Sequence, residues 1–576
     1  MGTCGFSDFN RGGLSGVYSD KPWLKNYFPG VAPHLDYPEI PVHHFLDETV
    51  KKYPNRTALI FPGKKISYAG FGEQVDRMAT ALHKMGIRPG DRVAFMLPNC
   101  PQMVISIYAT LALGAVGVGV NPLYTGRELE HQLNDSGAET IVFLDLMGNK
   151  VLNAVGRTPL KRLIATGIQD YLPFPLSFLY KYKLKQTGQW VDLPRDRGIV
   201  RFAGLIRNTL PQPPRVRVEP GDLAVLQYTG GTTGLAKGAM LTHRNLVANV
   251  TQILEIFKAI AGEGQEAFVS VLPYFHSFGL TVCLNSAIRF GATQIVVPRF
   301  DLKMITRLIS KYKATFFPGT PTMYIAILQQ PDLQKYDLTS LKACISGAAP
   351  LPFEVQTNFQ KRSGSMLVEG YGLSECSPVT HCNPFGAPAD GTIGYPLPDV
   401  ECKIVDQENG DVEVPVGEIG ELCIKGPQVM KGYWNKPEEN EMVLRDGWLF
   451  TGDMARMDGT GKFTVVERKK DLIIAGGYNI YPREVEEVLY EHPKVLEAAV
   501  VGVPHEYKGE AVKAFIVLKE GQSATREEIV EFCKERLAAY KVPKMVEFKD
   551  DLPKTLVGKI LKRVLIEGEK ADRKVG

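Results

Sequence analysis

At 576 residues, 44% of them hydrophobic and 23% charged, the chain has an ordinary globular composition and is several times longer than one hydrophobic core supports. A formal charge of only +4 argues against nucleic acid as a main partner. Nine cysteines without a Cys-x-x-Cys pair argue for a reducing, cytoplasmic setting and against structural zinc. No basic start followed by an apolar run opens the sequence, so a secretory leader is not expected, and Phe6 stands where N-myristoylation after Gly2 wants Ser or Thr.

From about residue 41 to 298, helical patterns alternate with short apolar runs such as 92–97 and 140–144, as in layered α/β proteins. The uncharged stretch 103–120 reaches the lower limit for a membrane span, but its glycines and the Asn121-Pro122 stop argue otherwise. It reads as a buried helix over 103–113, stopped by Gly114, then a strand over 116–120. Residues 171–185 set aromatics and leucines beside Lys181, Lys183 and Lys185, a mixture suited to a lipid headgroup surface. Pro173 and Pro175 interrupt a continuous amphipathic helix, and the favoured expectation is a surface excursion whose aromatics pack on the protein.

A short buried strand over 222–228 then leads into Tyr228-Thr-Gly-Gly-Thr-Thr-Gly-Leu-Ala-Lys-Gly238. Glycines let main-chain N–H groups approach phosphate oxygens, three threonines add hydroxyls and Lys237 adds charge, a mixture that suits an oligophosphate. The run is not a Walker loop, because Lys237 follows Ala236 and precedes Gly238 rather than Ser or Thr. A helical pattern begins at 241–250, so the loop is expected to join two elements. More α/β units follow through 341–345, and residues 393–425 alternate as strands, which implies a β subdomain. After the charged stretch 467–471 comes a fresh series: helix 484–489, strands 498–501 and 513–517, and helix 526–540. The expected organisation is a large N-terminal lobe of layered α/β subdomains plus a β subdomain over residues 1–469, and a small α+β domain over 470–576.

Four further segments fall in order with the glycine-threonine loop: Tyr274-Phe-His-Ser-Phe-Gly-Leu280, Glu369-Gly-Tyr-Gly-Leu-Ser-Glu375, residues 446–470 containing Trp448-Leu-Phe-Thr-Gly-Asp453, and Leu552-Pro-Lys-Thr-Leu-Val-Gly-Lys-Ile560. Together they resemble the adenylate-forming superfamily of acyl-CoA synthetases, luciferases and adenylation domains, and within it the bacterial long-chain fatty-acid CoA ligases. Residues 446–470 are similar to the fatty-acyl synthetase signature, departing at Phe450, often His there, and at Glu467, often Asp.

The resemblance implies ATP, CoA and a fatty acid as substrates and Mg2+ as the ion. A carboxylate attacks the α-phosphorus, giving acyl-AMP and pyrophosphate, and the CoA thiol then displaces AMP. Both first-step reactants are negative, so preorganised positive groups should dominate catalysis. By the family pattern, Thr229, Gly230, Gly231, Thr232, Thr233, Gly234 and Lys237 hold the β- and γ-phosphates. Glu375 holds Mg2+, Ser374 donates to the α-phosphate, and Tyr371 stacks on adenine in a pocket bordered by Gly347 and Ala348. Glu369, Gly370 and Gly372 complete that motif, Asp453 accepts the ribose hydroxyls and Arg468 reaches the same sugar or the phosphates. His276 positions the carboxylate, and Lys559 bridges carboxylate and α-phosphate. The small domain is implied to be mobile, turning at a hinge at Lys470, after which Gly476, Gly477 and Tyr478 border the CoA channel. Rival activities are a medium-chain or aryl-acid CoA ligase, a fatty-acyl-AMP ligase that serves a carrier protein, and a luciferase-like oxygenase. The non-enzyme alternative is a fatty-acid binding or transport protein with a vestigial nucleotide site. Acyl chain length, oligomeric state and peripheral contact with the inner face of the membrane stay open at this level.

Overall fold

The computed structural model describes residues 18–229, 236–388, 390–406, 410, 412–469, 471–475, 478–505, 509–555 and 558–575. Gly230, Gly231, Thr232, Thr233 and Gly234, with Lys470, Gly476 and Gly477, lie outside these.

Two mostly parallel sheets form the body of the chain. One has nine strands in the order Tyr395–Pro396, Val379–Cys382, Met366–Gly372, Ala343–Ser346, Phe316–Gly319, Ala267–Ser270, Thr293–Val296, Thr57–Phe61, Lys64–Ser67. The other has seven, in the order Val200–Arg201, Arg162–Thr166, Thr140–Leu144, Arg92–Met96, Val116–Gly119, Leu223–Thr229, Lys237–Thr242. Parallel strands need helical crossovers that cover both faces, so their sequences read as continuous apolar runs. Thr140–Leu144 is buried at every position. Helix Pro101–Ala112 is buried from Pro101 to Leu111, and Gly114 in the left-handed region (φ 65°) turns the chain back into the strand Val116–Gly119. The uncharged stretch is therefore a core helix and strand. Among the described residues no helix is long and apolar enough to cross a membrane.

A five-stranded antiparallel β subdomain follows, in which Trp448–Met457 pairs with Gly420–Lys425 and with Phe463–Arg468. Beyond it, residues 473–565 pack two apolar clusters of their own, one around Ile480, Leu489, Val500 and Ile516, the other around Val501, Phe515, Leu552 and Leu565. Their sheet pairs Val495–His505 with Gly509–Leu518 and carries Met545–Phe548 in parallel at the edge.

Three expectations change. The glycine-threonine loop leads into a strand, Lys237–Thr242, antiparallel to Leu223–Thr229, with Thr229 opposite Lys237. The helix starts only at His243, because the Thr242 hydroxyl accepts from the Asn245 N–H while Asn245 caps Thr242 in return. The helix expected over 526–540 ends at Lys534. In the 170–190 segment a helix, Leu176–Gln186, forms once Pro175 is passed, and only part of its aromatics pack on the protein: Tyr171 is buried against Phe202 and Tyr180 is half-buried, but Phe174, Phe178 and Tyr182 are exposed, and only Leu184 of the helix is buried.

Helix His243–Phe257 fixes the edge of the nine-stranded sheet beside the site. Fully buried Asn249 donates from Nδ2 to the Val379 carbonyl at 2.7 Å and accepts the Val379 N–H at 3.0 Å. Asn249→Ala would leave both backbone groups unpaired, and unfolding in urea should show a loss of about 2 kcal/mol, since an orphaned buried polar group costs roughly 1–3 kcal/mol.

Candidate functional site

The carboxyl ends of the central strands of the nine-stranded sheet face the β subdomain across a cavity of about 2150 Å3. Ligands gather at such strand ends in open α/β sheets. Strand Met366–Gly372 runs out through Glu369, Gly370, Tyr371 and Gly372, and the following 3-10 turn, Ser374–Cys376, presents Ser374 and Glu375. All six line the cavity, as do Gly347 and Ala348 after the neighbouring strand Ala343–Ser346.

Asp453 and Arg468 come from facing positions of two paired strands of the β subdomain. The Tyr371 hydroxyl donates to Asp453 Oδ2 at 2.5 Å, and Arg468 Nε lies 3.1 Å from Asp453 Oδ1. Three residues separated widely in sequence thus meet on one carboxylate. Burial and then the Asp453 charge push the Tyr371 phenol far up, so it remains a donor.

Glu375 accepts a hydrogen bond from the Tyr433 hydroxyl at 2.7 Å. Tyr433 also lies under the Lys237 ammonium, 5.5 Å from its ring centre, and the Glu439 carboxylate pairs with the same ammonium. Burial, followed by the nearby Lys436 charge, holds Lys237 below the ordinary lysine value. Tyr433 and Glu439 escape a motif reading, because they fall between the motifs at 369–375 and 446–470 and neither residue type is diagnostic alone. Ser277, whose hydroxyl lies 3.0 Å from that of Ser374, likewise stands inside a motif without marking itself.

His276 is half-buried, and its Nδ1 accepts the Phe278 N–H at 3.3 Å, which puts the ring proton on Nε2. Burial pulls its pKa down to about 4, with the Lys559 charge acting in the same direction. His276 is therefore neutral at physiological pH. The Lys559 charge is close enough to act on it, and Lys559 lines the cavity. The loop is held by its own turn, the Lys559 N–H donating to Thr555 Oγ1 at 3.1 Å. Gly558 has φ 76°, and a Cβ there would sit 2.3 Å from Thr322 Oγ1 and 3.1 Å from Thr320 Oγ1. The close approach is possible only for glycine.

Glu369 points elsewhere than its motif suggests. It accepts the Leu351 N–H at 3.0 Å and faces Arg483, 3.9 Å away in helix Pro482–Glu491. Burial pushes its carboxyl up to about 7 against the pull of Arg483. Arg483 also donates to the Val465 carbonyl at 2.6 Å, and its N–H donates to Glu467 at 3.1 Å. Tyr478 stands in the short strand Tyr478–Ile480.

The apolar part of the cavity runs between two helices, with Ile253, Ile256 and Phe257 on one side and Ile325 and Leu328 of helix Pro321–Leu328 on the other. Ile253, Ile256 and Phe257 are i, i+3 and i+4, one face of a helix.

Residues 46–434 match the family described as AMP-binding enzyme, and residues 484–559 match the AMP-binding enzyme C-terminal domain. The chain is 48% identical over 562 residues to a long-chain-fatty-acid–CoA ligase of Bacillus subtilis, covering 96% of this chain and 99% of that one. A long-chain-fatty-acid–CoA ligase of Escherichia coli O6:H1 is 40% identical over 552 residues, covering 95% and 98%. The solved structure of ATP-bound MatB from Rhodopseudomonas palustris superimposes with a TM-score of 0.80 at 30% identity, covering 92% of this chain and 99% of that one.

Two measurements check this geometry. Gly558→Ala should lower acid-dependent pyrophosphate release at least about tenfold while leaving the melting temperature within a few degrees, because it disturbs only the seating of the Lys559 loop. His381, packed edge-on against Tyr371 and held at about 3 by burial, stays neutral when folded but charges when unfolded. Its lowered folded pKa makes stability fall as pH drops below the unfolded value of about 6.5. Between pH 5.5 and 4, the unfolding free energy of His381→Gln should depend on pH less steeply than wild type, by about 1.4 kcal/mol per unit.

Proposed function

The chain belongs to the AMP-binding enzyme family, and we propose on that footing that it is a long-chain fatty-acid CoA ligase, an AMP-forming acid–thiol ligase. The observation that carries the reading is the seating of the Lys559 loop beside neutral His276, at the junction between a polar cavity floor and an apolar slot.

In the first half-reaction a carboxylate oxygen attacks the α-phosphorus of ATP, the bond to the bridging oxygen breaks, and pyrophosphate leaves. Lys559 neutralises charge where the two anions meet, which preorganised cations do without reorganisation during the step. Neutral His276 adds a wall without adding charge, so the carboxylate stays anionic and nucleophilic. Thr229, Lys237 and the glycine-threonine loop between them hold the outer phosphates. For Lys237 to do so its ammonium must exchange Glu439 for phosphate oxygens, a like-for-like exchange of anions. Ser374 donates to the α-phosphate, and Gly347, Ala348, Gly370, Tyr371 and Gly372 form the adenine wall.

Asp453 retains acceptor capacity for ribose hydroxyls, since each carboxylate oxygen has two lone pairs. Arg468 pairs with that carboxylate through Nε. Mg2+ fits the donor set: a single carboxylate, Glu375, held by the Tyr433 hydroxyl opposite Lys237, is what an ion bound mainly through substrate phosphates requires. When bound, the ion neutralises phosphate charge.

In the second half-reaction the CoA sulfur attacks the acyl carbon, AMP leaves with the mixed-anhydride oxygen, and the thiol proton passes to solvent. We take residues 470–576 as the unit that turns about Lys470, withdrawing Lys559 and bringing Gly476, Gly477 and Tyr478 to the CoA channel. The reading puts the enzyme in the cytoplasm and, peripherally, on the inner face of the membrane, where long-chain acids partition.

A pyrophosphate-release screen over acids of increasing chain length should peak at long chains, and a maximum at aryl or short acids would overturn the chain-length assignment. Lys559→Ala should lower adenylation by about a hundredfold or more while sparing thioester formation from supplied acyl-AMP. Lys470→Pro should do the opposite, slowing the thioester step more than adenylation.

A further inference from the structure

The helix Leu176–Gln186 stands out from the surface in an unusual way. Phe174 is 86% exposed, Phe178 64%, Tyr182 59%, Leu179 53% and Leu176 45%. Scattered exposed apolar residues are ordinary, but five large ones within nine positions form a patch. At 100° per residue, Phe178, Tyr182 and Leu179 share one arc of the helix, opposite the arc of buried Leu184 and half-buried Ser177 and Tyr180. The apolar crest therefore points directly away from the protein.

Charge flanks the crest on both sides. Lys185 and Lys181 border one edge of the arc and Lys183 the other, all exposed. The adjoining hairpin contributes exposed Lys64 and Lys65, tied to the segment where Lys64 lies over the Tyr171 ring at 4.8 Å and where Gly63 approaches Pro173 and Leu176. From residue 171 to 191 there is no Asp or Glu. Lysines of this kind lay their methylene stems along an apolar surface and lift the ammonium to its rim.

We propose that this crest is the surface by which the protein docks on an anionic lipid bilayer, with Phe174, Phe178, Leu179 and Tyr182 entering the headgroup–acyl boundary and Lys64, Lys65, Lys181, Lys183 and Lys185 meeting lipid phosphates. An aromatic–aliphatic face between lysines matches an interfacial helix in composition and in the placement of both groups. A second copy of the chain is a poor occupant, because a two-fold contact through this patch would set its lysines against their own counterparts. The surface rests on exposure and charge alone and stands apart from the ligase reading. Its link to that reading is that the acid would be met where it is dissolved.

Vesicle co-sedimentation of the full-length protein tests it, using extruded phosphatidylglycerol/phosphatidylcholine vesicles against phosphatidylcholine alone. Wild type should pellet with the anionic vesicles and be released by salt. The triple variant Lys181→Gln, Lys183→Gln, Lys185→Gln should bind anionic vesicles roughly a hundredfold more weakly, at the usual worth of a lysine near such a surface. Phe178→Asp with Leu179→Asp should weaken binding at least about tenfold. Both variants should keep wild-type pyrophosphate release with an acid supplied in solution, which reports an intact fold independently of the lipid result. Wild type left in the supernatant with anionic vesicles, or variants that pellet as wild type does, would overturn the proposal. A change in sedimentation-velocity mass in the variants with vesicle binding unaltered would assign the crest to a second copy instead.

Discussion

The carboxylate of Asp453, 2% exposed, receives the Tyr371 hydroxyl at 2.5 Å and the Arg468 guanidinium at 3.1 Å, and it thereby ties the working edge of the nine-stranded sheet to the β subdomain. A buried charge with two good partners is held in one place. Removing either partner leaves charge stranded in a poor solvent, at a cost of about 3–5 kcal/mol. From Tyr371 the constraint passes along four residues of chain to Glu375, which the Tyr433 hydroxyl fixes in turn. From Arg468 it passes to Lys469, whose N–H donates to the Gly452 carbonyl, and so to the last described residue before the boundary. The polar side of the cavity and the root of the second lobe share one anchor.

Among the described residues, polar contacts join residues 473–565 to the rest of the chain: Arg483 reaches Glu369, Glu467 and the Val465 carbonyl, and Lys562 lies 3.4 Å from Glu467. Gly558 sits in close steric contact with Thr320 and Thr322. On the proposed mechanism, this seating of Lys559 at the cavity is the arrangement that serves adenylation.

How much of this could be read from the sequence follows from how local each determinant is. The strands Thr140–Leu144 and Glu401–Val405 and the helix-stop at Gly114 were legible, because a buried strand needs a continuous or alternating apolar run and a left-handed stop needs glycine. The strand Lys237–Thr242 was not, since Lys237-Gly-Ala-Met-Leu-Thr242 runs directly into a strong helical period, and its pairing with Leu223–Thr229 depends on backbone register. Family motifs brought Tyr371, Asp453 and Arg468 to notice, and the structure adds that they share one carboxylate. Tyr433, Glu439 and Arg483 could not be picked out, because each matters only for what lies opposite it. The exposed aromatics after Pro173 show the reverse error: a composition suited to a surface was assigned to packing, because aromatic residues are buried more often than not.

The partnership of Glu369 and Arg483 bears on the proposed turning of residues 470–576. Both side chains are only 9% exposed, yet the nearest charged atoms are 3.9 Å apart, and burial raises the Glu369 carboxyl to about 7. An ion pair so placed has lost most of its hydration without gaining a short charge-assisted hydrogen bond. Taking two charges out of water costs several kcal/mol each, and Coulomb attraction offsets that fully only in good geometry. The contact is therefore close to neutral in free energy: it specifies where Arg483 sits when the lobes meet without holding them there. The proposed mechanism, in which Lys559 is seated for one half-reaction and withdrawn for the next, calls for an interface of this kind, because stabilising one state slows departure to the other. Apolar packing of the same area would have been tighter and, for a two-step ligase, worse.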